Sequence, residues 1–175
     1  DPSGAINPLN APARIAINTL VRIGYGVNKW PDNQIIPDIA ESWEIAPGGT
    51  QITMKLRQGV KWHNKAPVNG RTLDMDDVMF SWNRFAAQAP NRKDMINSLN
   101  PFGPVLSATN PDSKTVVFKL AYPYVPIVGF LAYPRYGQIQ PKETDGGAFN
   151  PELESRGSGP WRIDRFEKDV ELRFV

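Results

Sequence analysis

The stretch "MKLRQGVKWHNKAPVNGRTLDMDDVMFSW", Met54 to Trp82, decides the fold. It enters as a strand: Ile52, Met54 and Leu56 fall on one side of an extended chain, and Thr53, Lys55 and Arg57 on the other. That period of two predicts a strand over 51–57 with one wet face. It leaves as a helix, because Met75, Val78, Met79 and Trp82 stand at i, i+3, i+4 and i+7, one apolar stripe on a turn of 3.6 residues. Asp74 is placed to cap the helix, and Asp76 and Asp77 put negative charge in its positive first turn. Between strand and helix lie a basic turn, a loop and the only histidine of the chain, His63.

Further elements are read outward from this unit. Upstream, Ser42–Ile45 and a Pro-Gly-Gly turn complete a hairpin with Gln51–Arg57. Further upstream, "APARIAINTLVRIGYG" predicts a helix with Ile15, Thr19 and Ile23 on one face, stopped by Gly24 and Gly26. The stretch around Pro31 and Pro37 is expected to be loop. Downstream, a short helix is expected around Lys93–Leu99. "VLSATNPDSKTVVFKL" predicts a second hairpin turning at Asn110–Ser113. "YPYVPIVGFLAYP" reads as a short apolar helix between prolines, "YGQIQPK" as a strand. "GSGPWRIDRFEKDVELRFV" reads as a glycine–proline corner followed by two strands around Glu167–Asp169. The fold class is α+β: a mixed or antiparallel sheet with hairpins and flanking helices.

Composition excludes several functions. The chain has 175 residues, no cysteine, and 20 Lys plus Arg against 18 Asp plus Glu. Without cysteine there are no disulfides, thiolate nucleophiles or cysteine zinc sites. The charges are interspersed, so the basic face that nucleic-acid binding requires is missing. No apolar run reaches the ~18 residues that would span a membrane as a helix. Seventeen prolines, about twice the average share, imply loop-rich connections. The alternation of Val170, Leu172 and Phe174 runs into the last residue, and we expect a piece of a longer protein.

The residues that could carry chemistry read better as scaffold. His63 has no second histidine or cysteine to share a metal with, and the chain has no G-x-S-x-G nucleophile turn to pair with it. Asp74, Asp76 and Asp77 do not share one helix face, and capping explains them. Gly157-Ser158-Gly159 lacks the lysine and following helix of a phosphate loop and reads as a tight strand entry. Trp43 and Trp82 sit on periodic elements and are expected in the core. Trp30 and Trp62 lie near turns and stay open as exposed contact residues. Glu41 with Glu44, and Glu152 with Glu154, give only short-range carboxylate pairs, poor material for a hydrolase.

The order of segments says more. "IIPDIAESWEI", "ITMKLRQGVKWHN" with Pro67, and "DDVMFSWNR" together resemble the family 5 extracellular solute-binding proteins, with their P-x-LAESWE entry, LR-x-GVKFHDG hairpin and EDVVFS helix. The resemblance continues through "DPSGAINPLN", "SKTVVFKLAYPYVPIVGFLA", "IQPKE" and "GSGPWRIDRFEKDVELRFV". Departures are confined to one loop: "NKAPVNGRTLD" is longer than usual, and Asn64-Lys65 replaces Asp-Gly.

The resemblance implies part of a periplasmic-binding-protein type II lobe. Residues 1–30 would be the first segment of lobe one, 31–155 its inserted small subdomain, and 156–175 the strands returning to lobe one, with the second lobe absent. It implies a non-catalytic receptor of an ABC importer that closes like a clamp on a peptide or related solute. Its partners would be that solute and a membrane permease, its place the periplasm or cell envelope, and no cofactor or metal is implied. Asn7, Leu9, Asn10, Ala11 and Pro12 would border the cleft or merely form a turn of lobe one, and Trp30, near a turn, is kept with them as a ligand contact. The alternative is an interaction or structural module on the same fold, which exposed Trp30 and Trp62 would favour.

Overall fold

The computed structural model describes residues 16–24, 34–150, 154–167 and 170–175. At its centre is a four-stranded antiparallel sheet in the order β3-β4-β6-β5, formed by β3 (Ala40–Ile45), β4 (Gln51–Leu56), β5 (Val105–Asp112) and β6 (Thr115–Leu120). The alternation in the sequence sets which face is buried. Ile52, Met54 and Leu56 of β4 and Val116, Phe118 and Leu120 of β6 are all buried. Register places Ile52 beside Phe118 and Met54 beside Val116, so the six side chains form one apolar floor.

Helix α1 (Met75–Gln88) covers that floor. Its stripe buries Met75, Val78 and Phe85, and the half-buried Trp82 meets the Phe118 ring edge-on at 5.0 Å. The helix begins as its sequence requires. The Asp74 side chain accepts from the Asp77 N–H at 3.1 Å, and the Asp77 side chain accepts from the Asp74 N–H at 3.0 Å, which satisfies two amides that a helix start leaves free. Helix α2 (Ile127–Leu131) buries Ile127, Val128 and Leu131 against the same core, and the short helix α3 (Pro134–Gly137) follows it.

Two small hairpins flank this body. β1 (Val21–Ile23) pairs with β2 (Ile35–Pro37), and β7 (Ile163–Glu167) with β8 (Glu171–Phe174). Around β7 and β8 a second, small cluster joins Ala16 and Ile163 with the half-buried Ile17, Phe166, Leu172 and Phe174.

Five expectations need correction. Of the helix expected over 11–26, Ala16 is helical in the described part, but Val21–Ile23 is strand, because β2 offers a ladder partner that a lone amphipathic turn cannot match. The Pro37 region is therefore partly strand rather than loop. The hairpin of β5 and β6 turns two residues later than predicted. Asp112 still pairs with Thr115, and its carboxylate accepts from the Lys114 N–H at 2.7 Å, a local turn bond open to aspartate. The strand expected at 136–142 begins inside α3, and its only bridge among the described residues is the isolated one between Gln138 and Thr19. Of the helix expected at Lys93–Leu99, a single 3₁₀ turn at Arg92–Asp94 forms.

Candidate functional site

The polar groups of the described residues gather in two places. The first is built on the start of α1. Asp77 is fully buried, yet every direction around its carboxylate is filled. Oδ1 accepts from Arg71 Nη2 at 2.6 Å and from the Lys142 N–H at 3.0 Å. Oδ2 accepts from Arg71 Nη1 at 2.7 Å, from Trp62 Nε1 at 3.0 Å and from the Asp74 N–H. Burial pushes this carboxyl up, but Arg71, the two backbone amides and the indole outweigh it and hold the group below the usual carboxylate range. Arg71 turns its other edge to Glu143, at 2.8 and 2.6 Å. Its hydrogen bonds likewise keep Glu143 low.

Ser81, one turn along, extends the lock. Its hydroxyl donates to the Asp77 carbonyl at 2.6 Å and accepts from the Gln140 N–H at 2.8 Å. The helix, the loop 57–73 and the segment 138–146 are thereby fastened at one point. An acid so fully bonded has no lone pair left for a metal or a proton acceptor's role.

The second place is a seam where three segments cross. The His63 N–H donates to the Gly157 carbonyl and His63 Nε2 donates to the Gly159 carbonyl, each at 2.8 Å. The Gly159 N–H donates to the Ala16 carbonyl at 3.0 Å. Glycine is needed at 157 because a Cβ there would lie 1.7 Å from the Ala16 carbonyl oxygen. Asn18 bridges outward, accepting from the Ser158 hydroxyl at 3.1 Å and donating to Asp38 at 2.6 Å. Burial raises the Asp38 carboxyl, and the Asn18 and Thr19 bonds draw it part of the way back. Beside the seam, buried Arg156 stacks 4.4 Å over the Phe149 ring and bonds Glu154 at 3.0 Å, which also takes Lys65.

These geometries answer most of the sequence reading. His63 is structural, as predicted, and 157–159 is a tight strand entry. Asp74 and Asp77 are capping residues. Among the described residues no group of three His, Cys, Asp or Glu side chains could hold a metal. Glu154 is occupied by Lys65 and Arg156, and Glu152 lies outside the described residues. Trp62 corrects an expectation: it is 2% exposed and donates to Asp77, so it is no surface contact. The cleft residues Asn7, Leu9, Asn10, Ala11, Pro12 and Trp30 also lie outside the described residues. Arg71, Glu143, Asn18 and Asp38 were missed. Only Arg71, three residues before the cap, left a local hint.

The crevice lined by Ile17, Ile139, Gln140, Phe149, Ser155 and Arg156 has a volume of about 30 Å³, room for one water and far below the several hundred Å³ of a solute site.

Known proteins share this scaffold. The family profile described as "Bacterial extracellular solute-binding proteins, family 5 Middle" matches residues 34–175. The dipeptide-binding protein of Escherichia coli K12 is 34% identical over 155 residues, 81% of this chain and 29% of its own length. Heme-binding protein A of Haemophilus influenzae is 33% identical over 110 residues, 62% of this chain and 17% of its own length. The solved structure of the PBP AgaA of A. tumefacien R10 with agropinic acid superposes with a TM-score of 0.72 at 28% identity, over 90% of this chain and 29% of that one. The chain thus spans about 29% of the length of the dipeptide-binding relative.

Proposed function

The chain belongs to the bacterial extracellular solute-binding proteins of family 5, and we propose that it supplies one wall of a receptor that traps a peptide-like solute for an ABC importer. One observation carries the reading: the family match covers 34–175, and the buried polar centre described within it, around Asp77, is bonded to the chain's own donors. A wall whose central carboxylate is bonded internally suits a clamp, in which ligand contacts to two lobes favour the closed state and shift the population. Residues 1–30 and 156–175 are assigned to lobe one and 31–155 to its small subdomain. The ligand contacts of this wall fall to Asn7, Leu9, Asn10, Ala11, Pro12 and Trp30. The permease is the membrane partner, and the periplasm or cell envelope the location.

A peptide is the favoured solute because the dipeptide-binding relative shares the larger part of the chain. The names of the relatives also include heme and agropinic acid, so the shared scaffold does not by itself select the ligand. No catalytic role is assigned. The reading as an interaction module loses its support from Trp62, which is buried.

The test uses a protein that carries this chain together with the remainder of its own coding sequence. Dipeptides and tripeptides are titrated while small-angle scattering follows its radius of gyration. Saturable peptide binding with a smaller radius is expected. Binding of heme or agropinic acid in place of any peptide overturns the choice of solute, and saturation at constant radius overturns the clamp.

A further inference from the structure

The seam holds a group that none of the above uses. His63 is the only histidine of the chain. Its Nε2 lies 2.8 Å from the Gly159 carbonyl oxygen, an acceptor, so Nε2 carries the hydrogen. Its Nδ1 is buried and has no hydrogen-bond partner. Gly157 packs against the ring edge, near Cε1. A second proton would therefore create an N–H with nothing to receive it, in a place where Nε2 already has its bond.

The surrounding charges do not help. Arg162, on the segment leading into β7, repels a charged ring. Glu154, the carboxylate of the adjoining segment, is bound by Lys65 and Arg156 at 3.0 Å each. The segment Ala16–Thr19 carries no titratable side chain, and Asp38, which faces it, is bonded to Asn18 and the Thr19 N–H. Protonation would strengthen the single bond to Gly159, but it would put a charge on a half-buried ring with no counter-ion among the described residues and orphan the donor at buried Nδ1, which together cost more.

We propose that His63 is a pH-sensitive latch: its protonation frees the strand entry 157–159 from the loop 57–73 and opens the seam. Burial lowers the proton affinity of the ring, which agrees in sign. The seam is at full strength above the ordinary histidine range, near pH 6.5. It weakens as pH falls below that range, until the folded ring itself takes the proton. The inference does not rest on the receptor reading.

Hydrogen exchange on the full chain tests it, with the amides of His63 and Gly159 as reporters because each closes a seam bond. Protection corrected for intrinsic exchange should fall by up to about tenfold per pH unit below about 6.5, the limit for one linked proton. The variant His63→Gln, whose amide donates without titrating, should show no such fall, which also separates His63 from Asp38. Flat protection in the wild type, or an equal fall in His63→Gln, overturns the latch. Independently of whether that variant folds, the ring resonance of this single histidine should titrate below about 6.5. A midpoint at or above that value overturns it as well.

Discussion

Replacing Asp77 by asparagine exchanges one oxygen for an amino group at a site where both oxygens receive donors. Oδ1 faces Arg71 Nη2 and the Lys142 N–H, while Oδ2 faces Arg71 Nη1, Trp62 Nε1 and the Asp74 N–H. Whichever way the amide is turned, its hydrogens meet at least two other donors, and Arg71 loses its buried counter-charge. Breaking a buried ion pair by removing one partner costs about 3–5 kcal/mol. At about 2–4 °C per kcal/mol for a chain of this size, Asp77→Asn should melt about 6–20 °C lower. Asp77→Ala should fall in the same range, since it orphans the same donors without the clash. Asp76→Asn is the control: its side chain is 76% exposed, and the change should stay within about 0.5 kcal/mol. Urea unfolding followed by tryptophan fluorescence suits the assay, because Trp62 reports from the site itself. An Asp77→Asn loss below about 1 kcal/mol would refute the claim that this carboxylate fastens the helix to the loop and to segment 138–146.

Two further outcomes follow from the same geometry. Gly157→Ala places a methyl 1.7 Å from the Ala16 carbonyl oxygen and should unfasten the seam, read as lost exchange protection at Gly159. Gly146→Ala meets nothing within 4 Å and should leave that protection unchanged. Acid should act through Asp77, Glu143 and Glu154, whose folded carboxyls are all held low. Their contribution is complete above the unfolded range, about pH 4, and is lost as pH falls through the folded values. Unfolding free energy measured from about pH 7 to 3 should therefore decline on the acid side, and less steeply in Asp77→Asn.

The central sheet and α1 were legible in the sequence because their burial is periodic. Ile52, Met54 and Leu56 announce a face by alternation, and Met75, Val78 and Trp82 announce a stripe. Asp74 announces its own cap. The first strand was not legible, since Ile15, Thr19 and Ile23 satisfy a helical period equally well and only the distant β2 decides between them. The buried polar lock was half legible. Asp77 was correctly placed in the first helical turn, but its distant partners come from residues 62, 71 and 142, and no local pattern records that convergence. Trp62 was misjudged for the same reason: a turn-flanking tryptophan looks exposed until Asp77 is seen to hold its indole. The seam follows the same rule, because the need for glycine at 157 is set by Ala16, far away in the chain.

In the proposed function this chain forms one wall of a solute trap and not a complete one. Calorimetric titration of the 175-residue chain with dipeptides and tripeptides tests it most directly. Half a clamp should give no measurable heat, or an affinity weaker than about 1 mM, less than about 4 kcal/mol of binding free energy. A stoichiometric, micromolar site on these residues alone would contradict it.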